Sequence, residues 1–222
     1  MNEVKPRVKD KETRIEEIQN AARKVFFEKG YQSSTIEEIA KEAGVAKGTV
    51  YFYFENKDDL YMSLMEHTTD DLCERIIQFE NETDHTDYEH GSQIVMGILN
   101  VLYEWYKADP DGFILTTTFQ QGGLLSRLSE DTLGRLNKLG RKGFHSLRRV
   151  ILKAQKMGLI KEELNEIIIA DSLYATFLGL TQFEENKKRI TNKDHIFETL
   201  NQAFQIIADG ICTSADKGDP NF

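Results

Sequence analysis

The segment GVAKGTVYFYFENKDDLY, residues 44–61, places three tyrosines and two phenylalanines within eleven residues, with Lys47 before the cluster and Lys57 inside it. Such density suits either a buried core or a surface that touches a partner, and the flanking sequence bears on the choice. Upstream, Ser34 and Glu37 have capping-box spacing, and Ile36, Ile39, Ala40 and Ala43 form a helical stripe that ends at Gly44. Counted from Ile36, Ala40 is the fifth position, Gly44 the ninth and Val50 the fifteenth. Two short helices that cross steeply need a small residue at their contact, a glycine where the chain turns through positive φ, and a branched residue to fill the angle. The spacing is that of a helix-turn-helix. Its second helix is expected over residues 46–52, with Val50 and Phe54 turned inward and Lys47, Gly48, Tyr51 and Phe52 outward.

Helical periodicity extends through the chain, without competing strand alternation or an Asn-Gly hairpin signal. A first helix carries Ile15, Ile18, Ala22 and Val25 on one face and stops at Gly30. Asn56 is placed to cap a long fourth helix with Leu60, Leu64, Leu72, Ile76 and Phe79 inward. A polar loop follows at residues 81–92. Further helices are expected at residues 94–107, from Pro110 with Asp109 as its cap, and at 129–157, 166–184 and 194–212. The fold class is thus all-α with about nine helices: an N-terminal three-helix domain over residues 1–56 and a larger helical domain over residues 57–222.

A net charge of -9 argues against an indiscriminate nucleic-acid binder, yet the charge is uneven. Residues 1–60 hold 11 basic and 12 acidic side chains, whereas the remainder holds 17 and 25. An acidic body would repel a polyanion and leave only the head to approach one. The residues Lys5, Arg7, Lys9, Lys11 and Arg14 could form a basic arm for the minor groove or a solvated tail. Apolar runs are too short to span a bilayer and the first residues lack a signal-peptide centre, so a cytoplasmic protein without membrane association is expected. Cys73 and Cys212 have no metal-ligand spacing and read as small hydrophobes. The histidines at 67, 85, 90, 145 and 195 are scattered, and no nucleophile elbow, Walker loop or zinc motif is present. Neither an enzyme, a cofactor nor a metal is expected.

With the first helix ending FFEKGYQSSTIEEIAKEAG, residues 12–65 closely resemble the amino-terminal signature of the TetR family of bacterial transcriptional regulators. The matching elements are Phe-x-x-x-Gly-Tyr, Thr-x-x-x-Ile-Ala, Gly-Val-x-x-Gly-Thr-Val-Tyr-x-Tyr-Phe and Lys-x-x-Leu. By that resemblance Lys47, Gly48, Tyr51 and Phe52 would approach base edges or thymine methyls, and Thr35, Thr49, Tyr53 and Lys57 would lie near phosphates. The chemistry agrees, since glycine permits close approach, lysine can donate to guanine, and tyrosine offers a ring and a hydroxyl. Packing of Tyr51 or Tyr53 against the fourth helix, and a solvated Lys47, are the alternatives.

The resemblance also implies a homodimer on a pseudo-palindromic double-stranded operator and release by a small molecule. The dimer seam is expected on the last two helices, at Ala175, Leu178 and Gly179 and at Leu200, Ala203 and Ile207, within a stripe that includes Ile196 and Ile211. An effector cavity is expected among Tyr103, Trp105, Phe113, Phe119, Tyr174 and Phe177, with Thr116, Thr117 or Gln120 as polar handles. The effector would be hydrophobic, a fatty-acyl compound being one candidate. Repression is the family's usual mode. The competing reading is a DNA-binding protein without a small-molecule effector, whose larger domain binds another protein.

Overall fold

The computed structural model describes residues 11–121 and 130–213, apart from the side chains of residues 119–121, 132, 133 and 139. Among the described residues there are nine helices: α1 (Lys11–Ser33), α2 (Ile36–Glu42), α3 (Lys47–Tyr53), α4 (Lys57–Thr83), α5 (Gly91–Ala108), α6 (Pro110–Gln121), α7 (Glu130–Lys156), α8 (Glu166–Thr191) and α9 (Ile196–Ile211). The only extended pairing among them is an isolated bridge between Ile160 and Cys212. None of these helices is long and apolar enough to cross a membrane.

The chain forms two compact units, one comprising residues up to Thr68 together with Asp111–Leu133, the other Thr69–Pro110 together with residues from Gly134 onward. In the first, α1 packs on α2 and α2 on α3. Ile18, Ala22, Val25 and Phe26 of α1 and Ile36, Ile39 and Ala40 of α2 are buried. The first helix bends where Gly30 takes φ 76° and ψ 160°, so its helical run is broken at the expected residue.

The cap of α2 lies one residue later than the Ser34 and Glu37 spacing suggested. Thr35 is the N-cap: its Oγ1 accepts from the Glu38 N–H at 3.2 Å, and the Glu38 carboxylate accepts from the Thr35 N–H at 3.0 Å. This register makes Ile36 the first helical residue and buries it with Ile39 and Ala40. Ser34 is buried instead, and its hydroxyl donates to the Tyr31 carbonyl at 2.8 Å. At the other end Gly44 adopts φ 65°; its N–H donates to the Lys41 carbonyl at 3.2 Å, and the Val45 N–H to Ala40 at 2.9 Å. These are the two bonds of a Schellman stop, which satisfies carbonyls the helix leaves open and turns the chain into α3.

Asn56 caps α4 as its chemistry suggests, with Oδ1 accepting from the Asp59 N–H at 2.8 Å. Leu60, Leu64, Leu72, Ile76 and Phe79 are all buried along that helix. In the second unit α5 and α8 both pack on α9. Cys73 is buried, whereas Cys212 is only half-buried. Helix α8 continues past Glu184 to Thr191 and ends at Asn192 with φ 55°. The polar run after Phe183 reads as a helix end, but Glu184 is buried. Its carboxylate accepts from Lys187 at 3.0 Å and from Thr199 of α9 at 3.3 Å, which ties the added turns to the neighbouring helix.

Candidate nucleic-acid interface

Helix α3 divides its residues sharply between two sides. Val50 is fully buried and Phe54, just beyond the helix, is 6% exposed, whereas Tyr51 is 47% and Phe52 80% exposed. Burying an apolar side chain of this size contributes about 1.5 to 3 kcal/mol, so Val50 and Phe54 fix which side faces out. Phe52 and Tyr53 meet edge to face with centroids 5.0 Å apart. Gly48 has no atom within 4 Å of where a Cβ would stand, so internal packing does not require glycine there. The opening stretch therefore serves as both core and surface.

Three of the cationic or polar groups named from sequence are engaged within the head. Lys47, the first residue of α3, forms an ion pair with Glu37 of α2 and lies 5.7 Å from the Tyr51 ring centroid. The hydrogen bond from Lys47 holds the Glu37 carboxyl below its ordinary range and raises the lysine in return. Thr35 is occupied as a cap, since its hydroxyl also meets Glu38 at 3.1 Å.

Lys57 has a different task from the one its position suggested. Its Nζ donates to the carbonyls of Tyr31 at 2.8 Å and Ser34 at 2.9 Å and lies 4.3 Å from the Tyr31 ring centroid. Burial pushes its pKa below the ordinary lysine value. Lys57 thereby ties the turn between α1 and α2 to the start of α4, leaving one N–H for any phosphate. Tyr31 also meets Tyr61 edge to face with centroids 5.2 Å apart, and the Tyr61 hydroxyl donates to the Leu115 carbonyl at 2.7 Å. Sequence reading missed Tyr31 and Glu37, because their partners lie 26 and 10 residues away. Thr49 and Tyr53 are half-exposed beside the outward face. Of the basic arm, Lys5, Arg7 and Lys9 lie outside the described residues.

Of the six residues expected around an effector, the four in the second unit take part in three separate aromatic contacts. Trp105 and Phe177 are buried together in the second unit with centroids 6.4 Å apart. Tyr103, two residues from Trp105, faces elsewhere and meets Phe197 at 4.8 Å. Tyr174 meets Phe144 at 5.0 Å and lines a cavity of about 30 Å³ with Leu72, Cys73, Ile76, Gly143 and Leu147. That volume holds about one water. Phe113 is buried in the first unit, and the side chains of Phe119 and Gln120 lie outside the description. Thr116 and Thr117 are not open handles: their hydroxyls donate to the carbonyls of Gly112 at 2.9 Å and Phe113 at 3.0 Å. Thr181 does supply a fully buried hydroxyl without a partner, one turn beyond Phe177.

On α8, Ala175 and Gly179 are exposed and Leu178 half-exposed, and a Cβ on Gly179 would meet nothing within 4 Å. On α9 the expected stripe is corrected. Leu200 is fully buried and Ile196 nearly so, together with Phe204 and Ala208, because these residues recur every four positions against the protein's own core. Ala203 and Ile207 are half-exposed beside Ile206 at 72%. Ile168, Phe183 and Ile190 add exposed apolar surface on α8 that the sequence reading did not select.

The packed short helices α2 and α3, the Gly44 turn and the outward aromatic face define a helix-turn-helix protein. Residues 18–64 match the sequence profile of "Bacterial regulatory proteins, tetR family", so the amino-terminal part of the chain is similar to that family. It is 42% identical over 69 residues to the fatty acid metabolism regulator protein of Bacillus subtilis, covering 31% of this chain and 36% of that protein. The chain thus spans about a third of the length of the first relatives it matches. A longer alignment, at 25% identity, covers 91% of this chain and 93% of the regulator PksA of Bacillus subtilis. Among solved structures, the fatty acid degradation regulator FadR of Bacillus halodurans superposes with a TM-score of 0.72 at 22% identity, covering 91% of this chain and 98% of that one. FadR of Bacillus subtilis in complex with stearoyl-CoA gives 0.67 at 24%, covering 88% and 98%. These likenesses establish the fold over most of the chain.

Proposed function

We propose that the protein is a homodimeric transcriptional regulator that binds a pseudo-palindromic operator through α3 and is released from it by a hydrophobic effector, acting as a repressor. The observation that carries the DNA-binding part is the outward face of α3. Tyr51 and Phe52 stay exposed beside Lys47 and Gly48, while Val50 anchors the opposite side. Rings suit thymine methyls and a lysine suits guanine acceptors. One such helix reads only a few base pairs, so two copies, held about one DNA turn apart, would be needed for useful specificity. The exposed apolar surface of α8 and α9, at Ala175, Gly179, Ala203, Ile206 and Ile207, is a candidate seam.

The effector part rests on similarity to regulators of fatty acid metabolism and on the apolar interior of the second unit. A fatty-acyl compound is the class we favour. The cavity beside Tyr174 is too small for an acyl chain as it stands, so entry there requires Phe144 and Tyr174 to separate. Helix α4 would transmit the change: it begins four residues after α3, and its 27 residues span about 40 Å. Ligand releases DNA only through preference for the conformation that binds DNA poorly, so DNA must weaken ligand binding by the same factor.

The test begins by selecting fragments of the source genome with the purified protein and titrating stearoyl-CoA into the resulting complex. Release of DNA, matched by weaker stearoyl-CoA binding in the presence of saturating DNA, is expected. Equal ligand affinity with and without DNA would exclude ligand-controlled release by this compound, and failure to select any fragment would exclude the regulator itself.

A further inference from the structure

Each carboxylate of α2 is engaged by a lysine. Glu38 meets Lys29 at 2.6 Å and Glu42 meets Lys24 at 2.6 Å, both lysines belonging to α1. Glu37 is different, because its partner Lys47 is the first residue of α3 and borders the exposed Tyr51. Both members remain accessible, with side-chain exposures of 47% for Lys47 and 60% for Glu37. The mutual hydrogen bond raises the pKa of the lysine and lowers that of the carboxyl, so the pair stays ionised at neutral pH.

An ammonium has three N–H donors, and one suffices for Glu37. An unpaired Lys47 facing a phosphate would displace counterions and strengthen binding to any sequence. The paired lysine brings a carboxylate with it, so its net charge toward the phosphates is cancelled. Guanine O6 and N7 are neutral acceptors, which the remaining N–H groups can reach without breaking the pair. We propose that Glu37 is a specificity-determining residue: it neutralises Lys47 toward phosphates and leaves it as an oriented donor toward base edges. This inference rests on α3 being the recognition helix.

The test uses the full chain and two probes of roughly 30 base pairs, a random-sequence duplex and a duplex enriched by the wild-type protein from a randomised pool. Affinities are measured by fluorescence anisotropy between about 50 and 200 mM salt. Glu37→Gln should tighten binding to the random duplex about three- to tenfold, steepen its salt slope by about one unit and lower the ratio of enriched to random affinity. In a Lys47→Met background the same change should have little effect. Unaltered random-duplex affinity and slope in Glu37→Gln would overturn the inference. Equal tightening with and without Lys47 would do so too, since Glu37 would then act as a repulsive charge alone. Loss confined to the enriched duplex would make Glu37 a base contact and likewise contradict it. If the wild-type protein enriches no duplex and binds none at low salt, the failure lies with α3 as a DNA reader.

Discussion

Helices α2 and α3 have seven residues each, whereas α8 and α9 have 26 and 16. In the short pair almost every position has one task, so an apolar stripe identifies the inner side and the rest is surface. The long pair carries apolar residues on two sides. Ile196, Leu200, Phe204 and Ala208 of α9 are buried, while Ala203, Ile206 and Ile207 remain partly or largely exposed. A stripe therefore locates a core reliably only when a helix has a single apolar face.

The sharpest way to break this comparison is at Leu200. Leu200→Ala should lower the protein's own stability by about 2 to 5 kcal/mol in urea unfolding, because a filled core position becomes a cavity. Unchanged stability with weakened self-association would return Leu200 to the dimer seam. A smaller effect is expected in the head, where Lys57→Met leaves two carbonyls without their donor and should cost about 1 to 3 kcal/mol. If that variant instead melted normally and bound every duplex equally less well, Lys57 would be a phosphate contact.

Ile206→Asp probes the outer face of α9. The folded chain should tolerate it within about 0.5 kcal/mol at low concentration, while dimer dissociation measured by sedimentation should rise about tenfold or more. A tight dimer would remove this face from the interface. The smallest effect belongs to Glu80, whose carboxyl is held below its ordinary 4.5 chiefly by the hydrogen bond from Arg149. Because the folded pKa is depressed, this contribution is full above about pH 4.5 and fades as pH falls through the lower folded value. Glu80→Gln should therefore cost under about 1 kcal/mol at neutral pH, and the difference from wild type should close on acidification. A difference that widened in acid would contradict the assignment.

The head was the more legible part. Ala40, Gly44 and Val50 encode their roles through size, backbone freedom and branching within one short window, and each occupies the expected place. The cap was off by one because Ser34 and Thr35 are both acceptable caps, and only the burial of Ile36 chooses between them. The task of Lys57 could not be read locally, since its acceptors are carbonyls 23 and 26 residues earlier. In the second unit the inward face of α4 at Leu72, Ile76 and Phe79 is as expected, whereas the facing of α5 and α9 was read only in part. Tyr103 and Trp105 are two positions apart, which on a helix places them about 200° from one another, so shared aromatic character did not imply a shared cavity.

The exposed aromatic side of α3 is tested most directly by Phe52→Ala. Its binding to a genome-selected duplex and to a random duplex would be measured by anisotropy, alongside its melting temperature. Phe52 is 80% exposed, so the variant should melt with the wild type. Its affinity for the selected duplex should fall about ten- to hundredfold, with little change on random DNA. Unchanged affinity for the selected duplex, or an equal loss on both accompanied by a lower melting temperature, would contradict base recognition by this face.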